Sequence, residues 1–443
     1  MSCLHIRGMA NPILFIIGAI AVVVIGLIIH SYSIRQIETF ANAIDAYKSD
    51  PSYKKQVKLL VDRYDATAGR RRGVDDMLGS LGGSMPEDEQ CLINFNVLGA
   101  RMTGYIGPDV DGYYDPDNSI LYALKAGCRA FVFEIDYLET CIGKGEEYEY
   151  YPTLVMRDQQ GKLISTPEST LPKCNSDRQS NLLRTSTVLR NLAFGNAIEN
   201  RNDPLIIILY LLRVPPKSSS GPQRLVTYFS RIAKGLAPLF DRRTENIASG
   251  GTFARQQQEG LLLTNHIREY EGRVLFFCNA DTSIFRDEDI RRKNIPTNED
   301  LDFIVNLRLT YKQSALGATA MPSSGSFGGL EMVESMLAVP PGQVTNTMEE
   351  NKIRWTVCLK RDTIAPVSER DYDTMTRDLG VVCVPIHIWN PDNQYLFTDT
   401  RFGKWSFVPK PKEIRYRRPP IAVPAKQAPQ ANANGGMLRA PVL

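Results

Sequence analysis

The chain has 443 residues, 52 Lys and Arg against 49 Asp and Glu, a net charge of +3 and a pI near 8.3. Charged residues at 23% and apolar residues at 43% are ordinary globular proportions. They argue against a disordered chain and carry no nucleic-acid footprint. Eight cysteines (Cys3, Cys91, Cys128, Cys141, Cys174, Cys278, Cys358, Cys383) form no CxxC pair and have no histidine at ligand spacing, so reduced, buried thiols are expected rather than a zinc site or disulfide framework.

Pro12 to Ile29 reads PILFIIGAIAVVVIGLII, without a charged side chain. As a helix it would be ~27 Å long, close to the ~30 Å of bilayer hydrocarbon. His30, Ser31, Tyr32 and Ser33 follow, with no small-x-small cleavage pattern, so residues 1–33 are predicted to be an uncleaved, single-pass anchor. Only Arg7 precedes the run, and it would be lost if Met9 were the start. Arg35, Lys48, Lys54, Lys55, Lys58 and Arg63 follow it, so the bulk of the chain is expected on the cytosolic side.

Residues 34–90 read as a juxtamembrane helix and connector. Ile37, Phe40, Ile44, Tyr47, Val57, Leu60 and Val61 recur at helical spacing, with a break near Pro51. Ala66 to Glu89 reads as a linker whose Arg70–Arg72 cluster would face water or lipid headgroups. At the far end, residues 418–443 are rich in Pro, Ala, Gln, Asn and Gly, the composition of a flexible tail that threads against a partner.

Between these limits, residues 91–417 carry short apolar runs: Cys91–Leu98, Ala130–Asp136, Thr153–Arg157, Leu205–Leu212, Val274–Asn279, Phe303–Leu309, Trp355–Leu359 and Val381–Trp389. Continuous apolar runs of this length fit strands covered on both faces. Helix candidates lie between some of them: Ser119–Lys125, Leu183–Ala197, Arg224–Phe240 and Gln256–Tyr270. The alternation predicts an α/β fold, a TIM-type (β/α)8 barrel, with chemistry at the C-terminal strand ends. Ser323 to Leu330 (SSGSFGGL) lacks the lysine of a P-loop and reads as a loop, residues 218–222 as a turn, and the acidic, aromatic run Gly145–Tyr151 as a solvated loop.

At the strand ends the sequence resembles the phosphoinositide-specific phospholipase C barrel. NVLGARMTG resembles the family's first strand, with Met102-Thr103-Gly104 kept in character. ILYALKAGCRAFVFEIDY carries Gly127-Cys128-Arg129 and Glu134-x-Asp136, matching Gly-Cys-Arg and Glu-Leu-Asp. YPTLVMRD and PLIIILY resemble the next two strands, and LGVVCVPIHIWNPDNQYLFTDTRFGKWSFVPKP the closing strand and exit. The resemblance covers Cys91 to Pro411.

It implies two catalytic imidazoles and a calcium ion bound by Asn, Glu, Asp and Glu. Carried over residue by residue, the first His falls on Leu98, the calcium Asn on Gly99, the second His on Met156 (or Arg157), and the last Glu on Tyr210. Only Glu134 and Asp136 survive, and Phe276 to Asp281 offers no phosphate-binding lysine. Of the four histidines, His5, His30, His266 and His387, none falls on a catalytic position. Glu134 and Asp136 are therefore expected to pair with Arg101 and Arg157, with no catalytic residue, no metal and no cofactor, residual calcium included. Arg101, Arg157 and Arg213 are candidates for anion binding.

The resemblance thus implies a catalytically degenerate, membrane-anchored barrel with a scaffold role. A similar build occurs in virion proteins of large DNA viruses, where such a protein would link the internal membrane to capsid proteins. The alternatives are a membrane-tethered phosphodiesterase and a phospholipid-headgroup-binding protein.

Overall fold

The structure, a computed structural model, describes residues 24, 47–65, 71–107, 112–144, 149–158, 160–164, 180–216, 223–242, 262–310 and 328–417. The predicted anchor, apart from Val24, and the 418–443 tail lie outside the described residues. Among the described residues no helix is long and apolar enough to cross a membrane.

Seven parallel strands run β1 (Gly99–Ala100), β2 (Ala130–Asp136), β3 (Leu205–Leu211), β4 (Val274–Cys278), β5 (Leu307–Thr310), β6 (Gly328–Met332) and β7 (Trp355–Leu359), each hydrogen-bonded to the next. An eighth segment, 381–387, closes the cylinder. Cys383 bridges in parallel to Val357 on β7, and Ile386 to Ala100 on β1. The Cys358 amide donates to the Cys383 carbonyl and the Arg101 amide to that of Ile386, both at 2.9 Å. The result is a closed parallel α/β barrel.

Two expected strands are placed differently. Thr153–Leu154 pairs antiparallel with Ile135 and Asp136 at the end of β2, and β2 pairs directly with β3, so this run stands at the rim and not in the wall. Phe95–Val97 pairs antiparallel with Phe407–Pro409 across the opposite end. The missing wall strand is β6, whose Gly328 and Gly329 had suggested a loop. A Cβ at Gly328 would come 2.3 Å from the Arg308 carbonyl oxygen, so glycine here reflects close strand approach. The Phe303–Leu309 run splits likewise into a helical turn, Leu301–Ile304, and β5.

The wall alternates as a two-residue repeat requires. On β2, Phe131, Phe133 and Ile135 pack outward under the helices. Ala130 and Val132 share the inner cluster with Ile206, Ile208, Phe277 and Trp355. Glu134 and Asp136 continue that inward series toward the strand's C-terminal end. Helices α1 (Pro51–Tyr64), α2 (Val74–Leu81), α3 (Pro116–Ala126), α4 (Asn181–Ala193), α5 (Gln223–Leu236) and α6 (Val344–Ile353) surround the cylinder or close its base. The described part of Gln256–Tyr270 is turns and a 3-10 turn, Ile267–Tyr270, instead of the expected helix.

The segment that reads as a connector is more integrated than its composition suggests. Asp50 caps α1, whose Tyr53, Leu60 and Tyr64 are buried. Arg71, expected to face water or lipid, is 4% exposed. Its guanidinium donates to the carbonyls of Phe402 and Lys125 under Gly127, where a φ of +97° and the absence of a Cβ make room for it. Cys91, Cys128, Cys278, Cys358 and Cys383 are buried thiols outside any disulfide. Cys141 departs from the expectation of reduced thiols: it is disulfide-bonded.

Candidate functional site

A cavity of about 820 Å³ opens at the C-terminal ends of the strands. Its charged lining comprises Arg101, Arg157, Arg213, Lys360 and Arg361 against Glu134, Asp136, Glu139, Asp158 and Glu331. The two signs balance, five against five.

Six of the ten, Arg101, Arg157, Arg213, Glu134, Asp136 and Glu139, are paired with one another. Arg101 Nε donates to Glu134 Oε1 at 2.7 Å, with side-chain exposures of 4% and 1%. Its Nη1 donates to the Lys360 carbonyl. Asp136 receives two guanidinium groups. Arg213 donates to both its oxygens, at 2.8 and 2.9 Å, and Arg157 Nε lies 2.7 Å from Oδ2 as an ion pair without hydrogen-bond alignment. Glu139 bridges the same two arginines, 2.6 Å from Arg213 Nη1 and 3.6 Å from Arg157 Nη2. Burial works against the Arg213 charge, but its bonds to Asp136 and Glu139 outweigh that and raise the group above its ordinary range. Tyr137 lies under the same guanidinium, 4.4 Å from ring centre to Cζ.

The residues proposed from sequence as carboxylates and anion binders, Glu134, Asp136, Arg101, Arg157 and Arg213, therefore meet in one cavity. Their charges answer one another. Sequence reasoning missed Glu139, Lys360 and Glu331. Glu139 sits three residues past Asp136, a position that strand-end logic could have flagged. Glu331 was hidden by the glycines that made β6 read as a loop.

The positions of the absent catalytic groups are filled by packing. Leu98 and Met156 are each 1% exposed. A Cβ at Gly99 would meet Cys383 Sγ at 2.8 Å, so the closing segment occupies that space. Tyr210 faces the cavity. His387 is buried, stacked on Trp389 with ring centres 4.7 Å apart, and its Nε2 donates to the Thr363 carbonyl. Burial and the nearby Arg101 charge push it down to about 3, so its imidazole is neutral. His266 lies at the opposite end, bridged to Cys91.

Calcium takes six to eight oxygen ligands. Here Glu134 and Asp136 are already held by guanidinium groups, and the other ligand positions are Gly99 and Tyr210. This donor set does not fit the ion. Among the described residues no cluster of three or more His, Cys, Asp or Glu side chains is arranged to hold a metal.

No family model and no curated protein matches the chain. Solved structures similar to it are phospholipases C, the kind the sequence motifs resemble. PLC21 of L. pealei is 11% identical with a TM-score of 0.45, over 74% of this chain and 38% of that one. PLC21 of S. officinalis is 12% identical with a TM-score of 0.42, over 73% and 38%. The calcium-dependent phosphoinositol-specific phospholipase C of a Gram-negative Pseudomonas sp. is 11% identical with a TM-score of 0.41, over 73% and 96%. The chain thus spans 38% of the two PLC21 chains. The closed cylinder rests on its own strand pairings.

Proposed function

We propose that this chain is a membrane-anchored, phospholipase C-like barrel that does not cleave phosphodiesters and acts as a scaffold. The observation that carries the reading is the paired mouth: each inward carboxylate is bound to arginine, and the nearest imidazole, His387, is neutral and tied to a backbone carbonyl. Phosphodiester cleavage by internal attack needs a positioned base and acid, which alone contribute ~10²–10⁴ in rate. Among the described residues no imidazole is placed to serve as either at this mouth.

The full-length protein, assayed on phosphatidylinositol vesicles with and without calcium, is expected to release no inositol phosphate. Turnover that Glu134→Gln abolishes would overturn the scaffold reading and favour the tethered phosphodiesterase. The narrower form of the proposal, a link between a virion's internal membrane and its capsid proteins, is supported by build alone: apolar run, barrel and Pro/Ala-rich tail. Crosslinking in the native membrane followed by identification of neighbours tests it.

One observation favours a second reading, headgroup binding without cleavage. Glu134 Oε2, buried at the mouth, has no hydrogen-bond partner among the described residues. A ligand hydroxyl could satisfy it. Saturable binding of inositol phosphates that Glu134→Gln weakens would establish this reading, and a blank result would dismiss it.

A further inference from the structure

The described chain comes in at one end of the barrel and leaves at the other. At its start, Tyr47 donates to the Tyr114 carbonyl, Tyr113 donates to Asp50 at 3.0 Å, and Tyr53 donates to Asp115 at 2.6 Å. Tyr113, Tyr114 and Asp115 belong to the loop joining the C-terminal end of β1 to α3, on the mouth side. Tyr105 of the same loop donates to the Leu154 carbonyl, and Leu154 pairs with Ile135 beside Asp136. The three rings of Tyr47, Tyr53 and Tyr113 pack with centres 5.1 to 5.5 Å apart, so this junction is fixed and not a loose tether.

At its finish, the Tyr416 amide donates to Asn94 Oδ1 at 2.6 Å, and Arg415 and Arg417 pair with Glu89 at 3.3 and 3.1 Å. Glu89 and Asn94 precede β1, so they stand at the base. Lys410 reaches the Asn351 carbonyl, just ahead of β7, at the same end.

We infer that the barrel stands with its mouth toward the bilayer holding residues 12–29, and with its base, where Arg417 pairs with Glu89, directed away from it. The inference rests on the anchor proposed above. Residues 30–46 join the apolar run to Tyr47, which is held at the mouth end, so along the chain the mouth is the end nearer the anchor. The rim suits a lipid surface. Ile142 is 45% exposed, Pro340 and Pro341 are exposed beside half-buried Val339, and the basic side chains of Lys144 and Arg361 are exposed on the same end. An apolar tip such as Ile142 is what a bilayer interface accommodates, and the exposed charges around it are mixed, with Glu139 and Glu334 beside Lys144 and Arg361.

The test uses the full-length protein reconstituted in phosphatidylcholine–phosphatidylserine vesicles. A thiol-reactive fluorophore is placed on Lys144→Cys at the rim or on Glu413→Cys at the base, with the unsubstituted protein as the labelling background. Lipids carrying a quencher in the headgroup region are expected to quench the rim probe at least threefold more than the base probe. Equal quenching, or stronger quenching at the base, would overturn the orientation while leaving the anchor in place. A chain that fails to float with the vesicles would overturn both.

Discussion

Arg101 Nε and Glu134 Oε1 meet at 2.7 Å inside the barrel mouth, with both side chains withdrawn from solvent. β1 supplies the guanidinium just past Ala100, and β2 supplies the carboxylate at an inward position. Removing one member strands a buried charge, which typically costs ~3–5 kcal/mol. Glu134→Leu and Arg101→Met are each expected to lose that much in denaturant unfolding. The double variant should lose clearly less than the sum, because no charge is left alone. Additive losses would show that the two groups do not answer each other.

Installing at position 99 the asparagine that the resemblance assigns to calcium is expected to fail. The space beside Gly99 holds Cys383 Sγ and Pro385, so Gly99→Asn should lower stability and confer no calcium-dependent rise in Tm. For comparison, a bound ion at a hundred times its Kd would add about 2.7 kcal/mol. A calcium-dependent rise in Tm in this variant would show that the closing segment yields.

His387 makes stability fall in acid. Its folded value is pushed down to about 3 by burial and Arg101, against 6.5 ordinarily. Between these values the unfolded chain binds the extra proton, so stability rises with pH from about 3 to 6.5 and is lost as pH falls through that window. His387→Asn should flatten this part of the profile, measured by urea unfolding at several pH values. An unchanged slope would mean that other groups carry it.

Lys410 acts at the alkaline side. It is fully buried at the base, with its amine 3.2 Å from the Asn351 carbonyl, and burial lowers it to about 7 from 10.5. Below about 7 both folded and unfolded chains hold the proton and the burial cost is borne in full. From about 7 to 10.5 only the unfolded chain does, so stability rises with pH across that range. Lys410→Met should remove the rise and be most stabilising near neutral pH and below. A variant less stable than wild type at every pH would show that the amine's bond to Asn351 outweighs its desolvation.

Local sequence determined much of this protein. Apolar runs such as Ala130–Asp136 and Leu205–Leu211 specify strands covered on both faces, because a seven-residue run with so few polar interruptions has no solvated side. The two-residue repeat then forces Glu134 and Asp136 to one face. The lack of an imidazole at the motif positions was equally legible. Only the tertiary structure decided the rest. Thr153–Leu154 and Gly328–Met332 are both short and differ little in local signal, and which one joins the wall depends on neighbours distant in the chain. Likewise, spacing alone could not show that Glu139 bridges Arg157 and Arg213, or that Arg71 is buried beneath Gly127. Those contacts exist because barrel closure brings separate strand ends and loops into one small volume, where each charge must find its counterpart.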